Sequence, residues 1–428
     1  MYESWEQEKY KASHDSLTGL LNRDQFYEDV HDMVNKYHDT TFYLICSNIK
    51  DFKFINEIFG MEKGNQVLIK QAKLMASNPS ERTICARLMN DRFALCLPRE
   101  EFDEKRVADS VKELQREFSG NSFHLHTYMG VYEIRDRDEA VSIMVDKANI
   151  AADTIKNNYD CCVAYYDEHL LEISIEQRRL LGEFEPALQK GEFVMYLQPQ
   201  VNRDGAAKGA EALVRWAHPS RGILTPYAFI DILENAGLIY KLDLYIWEKA
   251  AQKLAEWKEK GYGSYHISVN ISTKDFYIID IYETFTGLIN KYGIAASNLH
   301  LEITETTLMT DFEKNMNIIH KLQGVGFRVE IDDFGSGYSS LNMLKDISAD
   351  VLKIDMGFLR KSENEVKGQD ILESIITLAG KIGMDVITEG VETKKQLDML
   401  TMMGCHEFQG YYFSKPVPVS EFEEKYLV

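Results

Sequence analysis

The chain has 428 residues, 45% hydrophobic and 27% charged, which is a globular balance and more length than one ordinary domain fills. Its formal net charge of −20 divides into −9 up to residue 170 and −11 beyond it, so neither half has the basic footprint of a nucleic-acid binder. No apolar run approaches the roughly 18–20 residues that cross a bilayer, no signal-peptide pattern opens the sequence, and six scattered cysteines form no CxxC pair; together these predict a cytoplasmic chain with reduced thiols.

Residues 1–13 are polar and free of Gly and Pro, and read as a helix that is either a solvated leader or the end of a signalling helix. Residues 14–167 mix patterns. Phe42-Tyr-Leu-Ile-Cys is a buried strand, Asn65–Ala76 a helix, Ile84–Leu88 and Phe93–Leu97 a hairpin, Phe123–Ile134 a strand and 141–156 a helix. That order predicts an α+β sheet domain. Residues 168–190 form a helical connection to a third segment, 191–428. There strand-like runs recur at Val194–Gln198, Gly209–Trp216, His266–Ile271, Leu299–Thr304, Arg328–Phe334, Val351–Ile354, Asp385–Glu389 and Glu407–Phe413, with helical stretches between most of them. Eight such units in this length predict a (β/α)8 barrel of the α/β class. The first two runs are close enough for a hairpin, which would make the barrel irregular at its start.

Nearly every barrel run ends on an oxygen or amino group: Gln198, Glu211, Asn270, Glu302, Asp332 with Asp333, Lys353, Glu389 and Gln409. Polar groups in apolar strands are costly unless partnered, and a barrel gathers its C-terminal strand ends on one face. A set of carboxylates and an amide without Cys or His is a hard, all-oxygen donor set, suited to Mg²⁺ or Mn²⁺ rather than Zn²⁺. Adjacent acids such as Asp332-Asp333 tolerate close approach when cations neutralise them, as two ions about 4 Å apart would. Glu330 shares the inward register of Asp332 and is expected to face the same pocket.

Glu211-Ala-Leu-Val-Arg-Trp resembles the signature of EAL domains. The later runs Val269-Asn-Ile-Ser, Leu301-Glu-Ile-Thr-Glu, Asp332-Asp-Phe-Gly-Ser-Gly-Tyr-Ser-Ser-Leu, Leu352-Lys-Ile-Asp, Thr388-Glu-Gly-Val-Glu and Gln409-Gly-Tyr-Tyr-Phe-Ser-Lys-Pro match that family in order. The resemblance implies a modified TIM barrel that hydrolyses cyclic di-GMP to linear pGpG with two Mg²⁺ or Mn²⁺ ions. It implies Glu211, Asn270, Glu302, Asp332, Asp333 and Glu389 as metal ligands, and Lys353, Glu389 and Glu211 as catalytic groups. Gln198, Leu213, Arg215 and Gln409 would meet the substrate. Glu305 and Glu392 would support the loop 335–341, which in the family couples metal binding to a homodimer interface.

His14-Asp-Ser-Leu-Thr-Gly-Leu-Leu-Asn-Arg and Asn48-Ile-Lys-Asp-Phe-Lys-Phe-Ile-Asn-Glu-Ile-Phe-Gly resemble GGDEF diguanylate cyclase domains, but Met89-Asn-Asp-Arg-Phe stands where that family has Gly-Gly-Asp-Glu-Phe. Asn48 replaces a metal-binding Asp, Met89 and Asn90 replace the glycines, Arg92 reverses an acidic charge, Asn65 replaces a guanine-reading Asp and Asp160 a phosphate-holding Arg. Asn56, Asp91 and Lys156 remain. The resemblance therefore implies a retired cyclase, serving either as a dimerising module or as a GTP sensor. For the whole chain two functions stay in play, a phosphodiesterase and a cyclic di-GMP receptor without turnover.

Overall fold

Phe42–Ile49 forms β1, buried along its length, and its alternation sorts two cores onto opposite faces of one sheet. Phe42, Leu44 and Cys46 pack with Phe26, Val30, Met144 and Val145, while Tyr43 and Ile45 pack with Leu97, Val111, Met129 and Val131. The sheet runs β2 (Ile84–Met89), β3 (Arg92–Pro98), β1, β4 (Thr127–Glu133), β5 (Val163–Tyr165). All pairings are antiparallel except β4 with β5. Helices Arg23–Lys36 and Val141–Thr154 supply the first core, and Met61–Met75 with Glu104–Phe118 lie over the other face. This is the expected α+β sheet domain.

This computed structural model describes residues 10–50, 52–77, 80–118, 125–156, 158, 161–332, 334, 347–356 and 365–427. Most of the leader (residues 1–9), Asp160, Asp333 and the loop 335–341 lie outside the described residues. The chain divides into two units, Met1–Arg178 and Arg179–Val428. The connecting segment is helical over Glu168–Lys190.

The second unit is a barrel. Strands β6 (Phe193–Val201), β7 (Ala207–His218), β9 (His266–Ile271), β10 (Leu299–Thr304), β11 (Val329–Asp332), β12 (Val351–Asp355), β13 (Asp385–Glu389) and β14 (Glu407–Phe408) follow one another around a ring that closes from β14 back to β6. Short strands β8 (Gly222–Leu224) and β15 (Val417–Pro418) extend β7 and β6 at the edges. From β7 through β14 the ring is parallel. Strand β6 pairs antiparallel with both neighbours, so the anticipated hairpin at the start is present. That reversal matters for the interior. Gln198 pairs opposite Glu211 and Gln200 opposite Gly209, so β6 carries its later residue toward the N-terminal mouth.

The run expected as Glu407–Phe413 leaves the ladder after Phe408. At Gly410 a Cβ would come 2.2 Å from the Val391 carbonyl, and the backbone packs there instead of extending a strand. Trp247, Trp257 and Phe285, all buried, fill the layer between barrel and outer helices. No described helix is long and apolar enough to cross a membrane.

Candidate active site

Lys353 is the feature around which the C-terminal mouth of the barrel is built. It lies inward on β12, 1% exposed, among the largest fully buried side chains of the molecule. Its Nζ contacts the Glu302 carboxylate, lies 2.6 Å from Glu389 Oε1, 3.4 Å from Glu211 Oε2 and 3.7 Å from Asp332 Oδ1. Asn270 Nδ2 donates to Glu211 Oε1 at 3.1 Å, and Gln409 Nε2 donates to Glu211 Oε2 at 2.5 Å and to Gln198 Oε1 at 3.3 Å. The parallel register delivers this convergence: Asn270 pairs opposite Glu302 on adjacent strands, and Asp332 lies beside Thr304.

The electrostatics show what the arrangement lacks. Four carboxylates face one ammonium, so full ionisation would leave three negative charges uncompensated. Burial, reinforced by Glu211, pushes Glu302 well above the usual carboxylate range. Burial likewise raises Glu389, to about 8, against the pull of Lys353, with Asp332 and Glu211 adding to the rise. Burial works against the Lys353 charge, yet the surrounding acids hold its pKa well above the ordinary lysine value. One oxygen each of Glu302 and Asp332 is buried without a hydrogen-bond partner, and Glu211, Glu302 and Glu389 offer ligand oxygens within 4.8 Å of one another. An oxygen-only set with spare lone pairs and uncompensated charge fits hard divalent cations.

The other expected residues are placed as follows. Arg215 follows Glu211 at a four-residue step on β7, half-buried, with its guanidinium 5.5 Å over the Tyr196 ring and Nη1 donating to the Val214 carbonyl at 2.8 Å. Leu213 lies between them in the same register, half-buried. Glu305 opens the helix Glu305–Thr310, which Thr304 caps. The Glu392 backbone N–H donates to Gln396 Oε1 at 2.9 Å, just before the helix Lys394–Met402. Glu330 corrects one expectation. It points inward but serves the opposite half of the barrel, accepting from Ser268 Oγ at 3.1 Å and lying 2.6 Å from His300 Nδ1. A two-residue step along a strand spans about 6.6 Å, enough to change layer. The interior polar set of Gln200, His266, Ser268 and His300 escaped the sequence reading, although His266-Ile-Ser-Val-Asn already placed polar side chains at every second position.

In the first unit Asn48 is buried at the end of β1 with its Oδ1 unpartnered, and Asp91 accepts from the Ile49 N–H at 3.3 Å. Asn90 adopts φ 51°, the left-handed turn conformation that Asn tolerates. Met89 and Arg92 are exposed beside it, and Arg92 acts electrostatically on Asp91 and Asp153. Asn56 packs against Gly64, where a Cβ would meet its Oδ1 at 2.0 Å, and Asn65 is half-buried on the same helix as Gly64. Among the described residues of this unit no group of three acidic, His or Cys ligands converges.

Comparison with known proteins identifies both units. The EAL domain model matches residues 182–416, and the diguanylate cyclase, GGDEF domain model matches residues 12–160. The bifunctional diguanylate cyclase/cyclic di-GMP phosphodiesterase MucR of Pseudomonas aeruginosa is 30% identical over 424 residues, 96% of this chain and 61% of that protein. The cyclic di-GMP phosphodiesterase NbdA of the same bacterium is 29% identical over 421 residues, 96% of this chain and 54% of that one. The chain thus spans little more than half the length of these relatives. Among solved structures, the PaMucR phosphodiesterase in its c-di-GMP complex is 33% identical with a TM-score of 0.54, covering 57% of this chain and 99% of that one. The Vibrio cholerae LapD S helix-GGDEF-EAL structure is 18% identical with a TM-score of 0.59, covering 96% and 98%, a likeness of fold.

Proposed function

The chain belongs to the EAL-domain family, with a GGDEF domain before its barrel, and we propose that the barrel hydrolyses cyclic di-GMP to linear pGpG. The observation that carries this reading is the gathering of Glu211, Asn270, Glu302, Asp332 and Glu389 around Lys353 at one mouth. The phosphodiesterase names of two relatives support the substrate class.

Glu211, Asn270, Glu302, Asp332, Asp333 and Glu389 would hold two Mg²⁺ or Mn²⁺ ions. Such ions supply charge against the phosphate and acidify water for attack. The chain's own groups do the rest. Lys353 keeps its proton through neutral pH and sets a fixed positive charge beside the phosphorus as negative charge develops. Glu389, its Oε1 2.6 Å from that ammonium, is placed to accept a proton from the attacking water once it is ionised. Arg215 can grip a phosphate oxygen pair in bidentate fashion while Tyr196 supports its guanidinium face. Gln409 holds the Glu211 carboxylate and also donates to Gln198, so both present amide groups to the substrate, and Leu213 gives an apolar wall between Glu211 and Arg215. Glu305 and Glu392 would position the loop 335–341 near a homodimer interface.

For the first unit we propose a catalytically degenerate domain with a dimerising or regulatory role. The amide at Asn48 and the cationic Arg92 support this reading, because phosphoryl transfer from GTP needs carboxylate-held metal ions.

The test is chromatographic. The full chain incubated with cyclic di-GMP and Mn²⁺ is expected to yield pGpG, and Glu211→Gln none. Tight binding without product in the wild type would replace the phosphodiesterase by a receptor.

A further inference from the structure

A second polar cluster occupies the half of the barrel that the carboxylate ring does not use. His266 and His300 stand near the starts of β9 and β10, with Glu330 on β11 beside them. The two imidazoles stack with centroids 3.8 Å apart and planes 5° from parallel. His266 Nε2 lies 2.7 Å from Gln200 Oε1, and His300 Nε2 lies 3.2 Å from the Ser297 carbonyl. Facing oxygens, both Nε2 atoms carry the hydrogen, which leaves the lone pair of each neutral ring on Nδ1. His300 Nδ1 then meets Glu330 Oε1 at 2.6 Å, a lone pair against a carboxylate that a positive charge must bridge.

Three further observations point to a ligand. The second oxygen of Glu330 is buried and has no hydrogen-bond partner, and the residue itself is wholly buried. One donor atom from each of His266, His300 and Glu330 falls within 4.8 Å of the others. A cavity of about 590 Å³, lined in part by Tyr265, Ser297 and Val351, opens from these residues at the N-terminal mouth. The cationic side chains on its rim are already paired, Lys208 with Glu407 and Arg328 with Asp385, and so do not bar a cation.

We propose that this mouth is a second metal site, in which His266, His300 and Glu330 bind a divalent transition ion of the Zn²⁺ class. Two imidazoles and one carboxylate are a borderline donor set, the counterpart of the hard oxygen set at the other mouth. Each ring's far N–H is tied to an oxygen, the pattern that orients metal-binding histidines. The ion widens the Glu330–His300 pair to the roughly 3.3 Å edge of a tetrahedron with bonds of about 2.0–2.1 Å, and splays the stacked rings. The room for this lies on the side of the cavity; on the other side the His266 ring packs against Gly209, where a Cβ would come 2.4 Å from it. The fourth position opens to the cavity and takes water.

Co²⁺ titrated into the chelator-stripped full chain reports the site directly, because visible bands of tetrahedral nitrogen-ligated cobalt are far stronger than those of six-coordinate oxygen sites. The expected result is a saturable band at one equivalent that Zn²⁺ abolishes and Mg²⁺ does not. Asp332→Asn should keep it, while His300→Ala and the near-isosteric Glu330→Gln should weaken the affinity at least tenfold with circular dichroism unchanged. Survival of the band in both His300→Ala and Glu330→Gln, its loss in Asp332→Asn, or no band in the wild type would overturn the assignment. The last outcome means that the cluster holds a proton only.

Discussion

Lys353 and the acids around it form one electrostatic unit, and each member's behaviour depends on the others. Replacing Lys353 with Met leaves Glu211, Glu302, Asp332 and Glu389 buried without their shared cation. Removing one partner of a buried ion pair typically costs about 3–5 kcal/mol. The Lys353→Met chain should therefore melt lower in chelator, recover part of the loss in Mn²⁺, and hydrolyse cyclic di-GMP at least a hundredfold more slowly. The same unit dictates a pH dependence. Glu389 titrates near 8 in the folded chain, above the ordinary carboxylate range, so the folded state holds a proton that the unfolded state has released. Stability from this group is present at low pH and lost as pH rises toward 8, and Glu302 acts in the same direction. His266, neutral in the fold to about pH 3, opposes this only below about 6.5. Thermal melts in chelator should fall between pH 6.5 and 8, and saturating Mg²⁺ or Mn²⁺ should flatten that slope. A melting temperature that rises across this window in chelator contradicts the assignment. These residues were legible because acids and a lysine at the ends of apolar strands are too costly to bury singly, and a barrel brings such ends together. Glu330 was legible only by side: alternation puts it inside the barrel, whereas its partner, His300, is 30 residues away on another strand.

At the scale of elements, strand existence was readable and strand ends were not. His266–Ile271, Leu299–Thr304 and Asp385–Glu389 fall where alternation and apolar runs put them. Strand β14 is two residues long because Gly410 brings its backbone against Val391, a long-range fit invisible in the local pattern Glu-Phe-Gln-Gly-Tyr-Tyr-Phe. Gly410→Ala should accordingly displace Gln409 from Glu211, lowering both melting temperature and turnover, by about 1–3 kcal/mol of overpacking in the first case. Gly182, inside the helix Glu168–Lys190 with open space where a Cβ would stand, predicts the reverse: Gly182→Ala should raise stability by about 0.5–1 kcal/mol. In the first unit Asn90 takes the left-handed conformation where the family has glycine, and the hairpin expected from the two apolar runs is present. The opening segment is also structural: Asp15 accepts from the Thr18 N–H and hydroxyl and pairs with Arg87 on β2 at 3.1 Å.

For the whole molecule, the two units divide the chemistry unequally. The barrel gathers its acids into one ring, whereas in the first unit Asn48 is a buried amide and Arg92 a cation. Incubation of the chain with GTP and Mg²⁺ should yield no cyclic di-GMP, and saturating GTP should leave phosphodiesterase turnover unchanged if the domain serves only in assembly. A GTP-dependent change in rate would make it a sensor. The central claim is that the carboxylate ring acts through divalent cations on cyclic di-GMP. It is tested most directly by following pGpG formation from chelator-stripped protein before and after Mg²⁺ or Mn²⁺ is returned. The expected result is no product in chelator, full turnover on metal return, and none at any metal concentration for Asp332→Asn. Undiminished hydrolysis in chelator, or by Asp332→Asn, would contradict it.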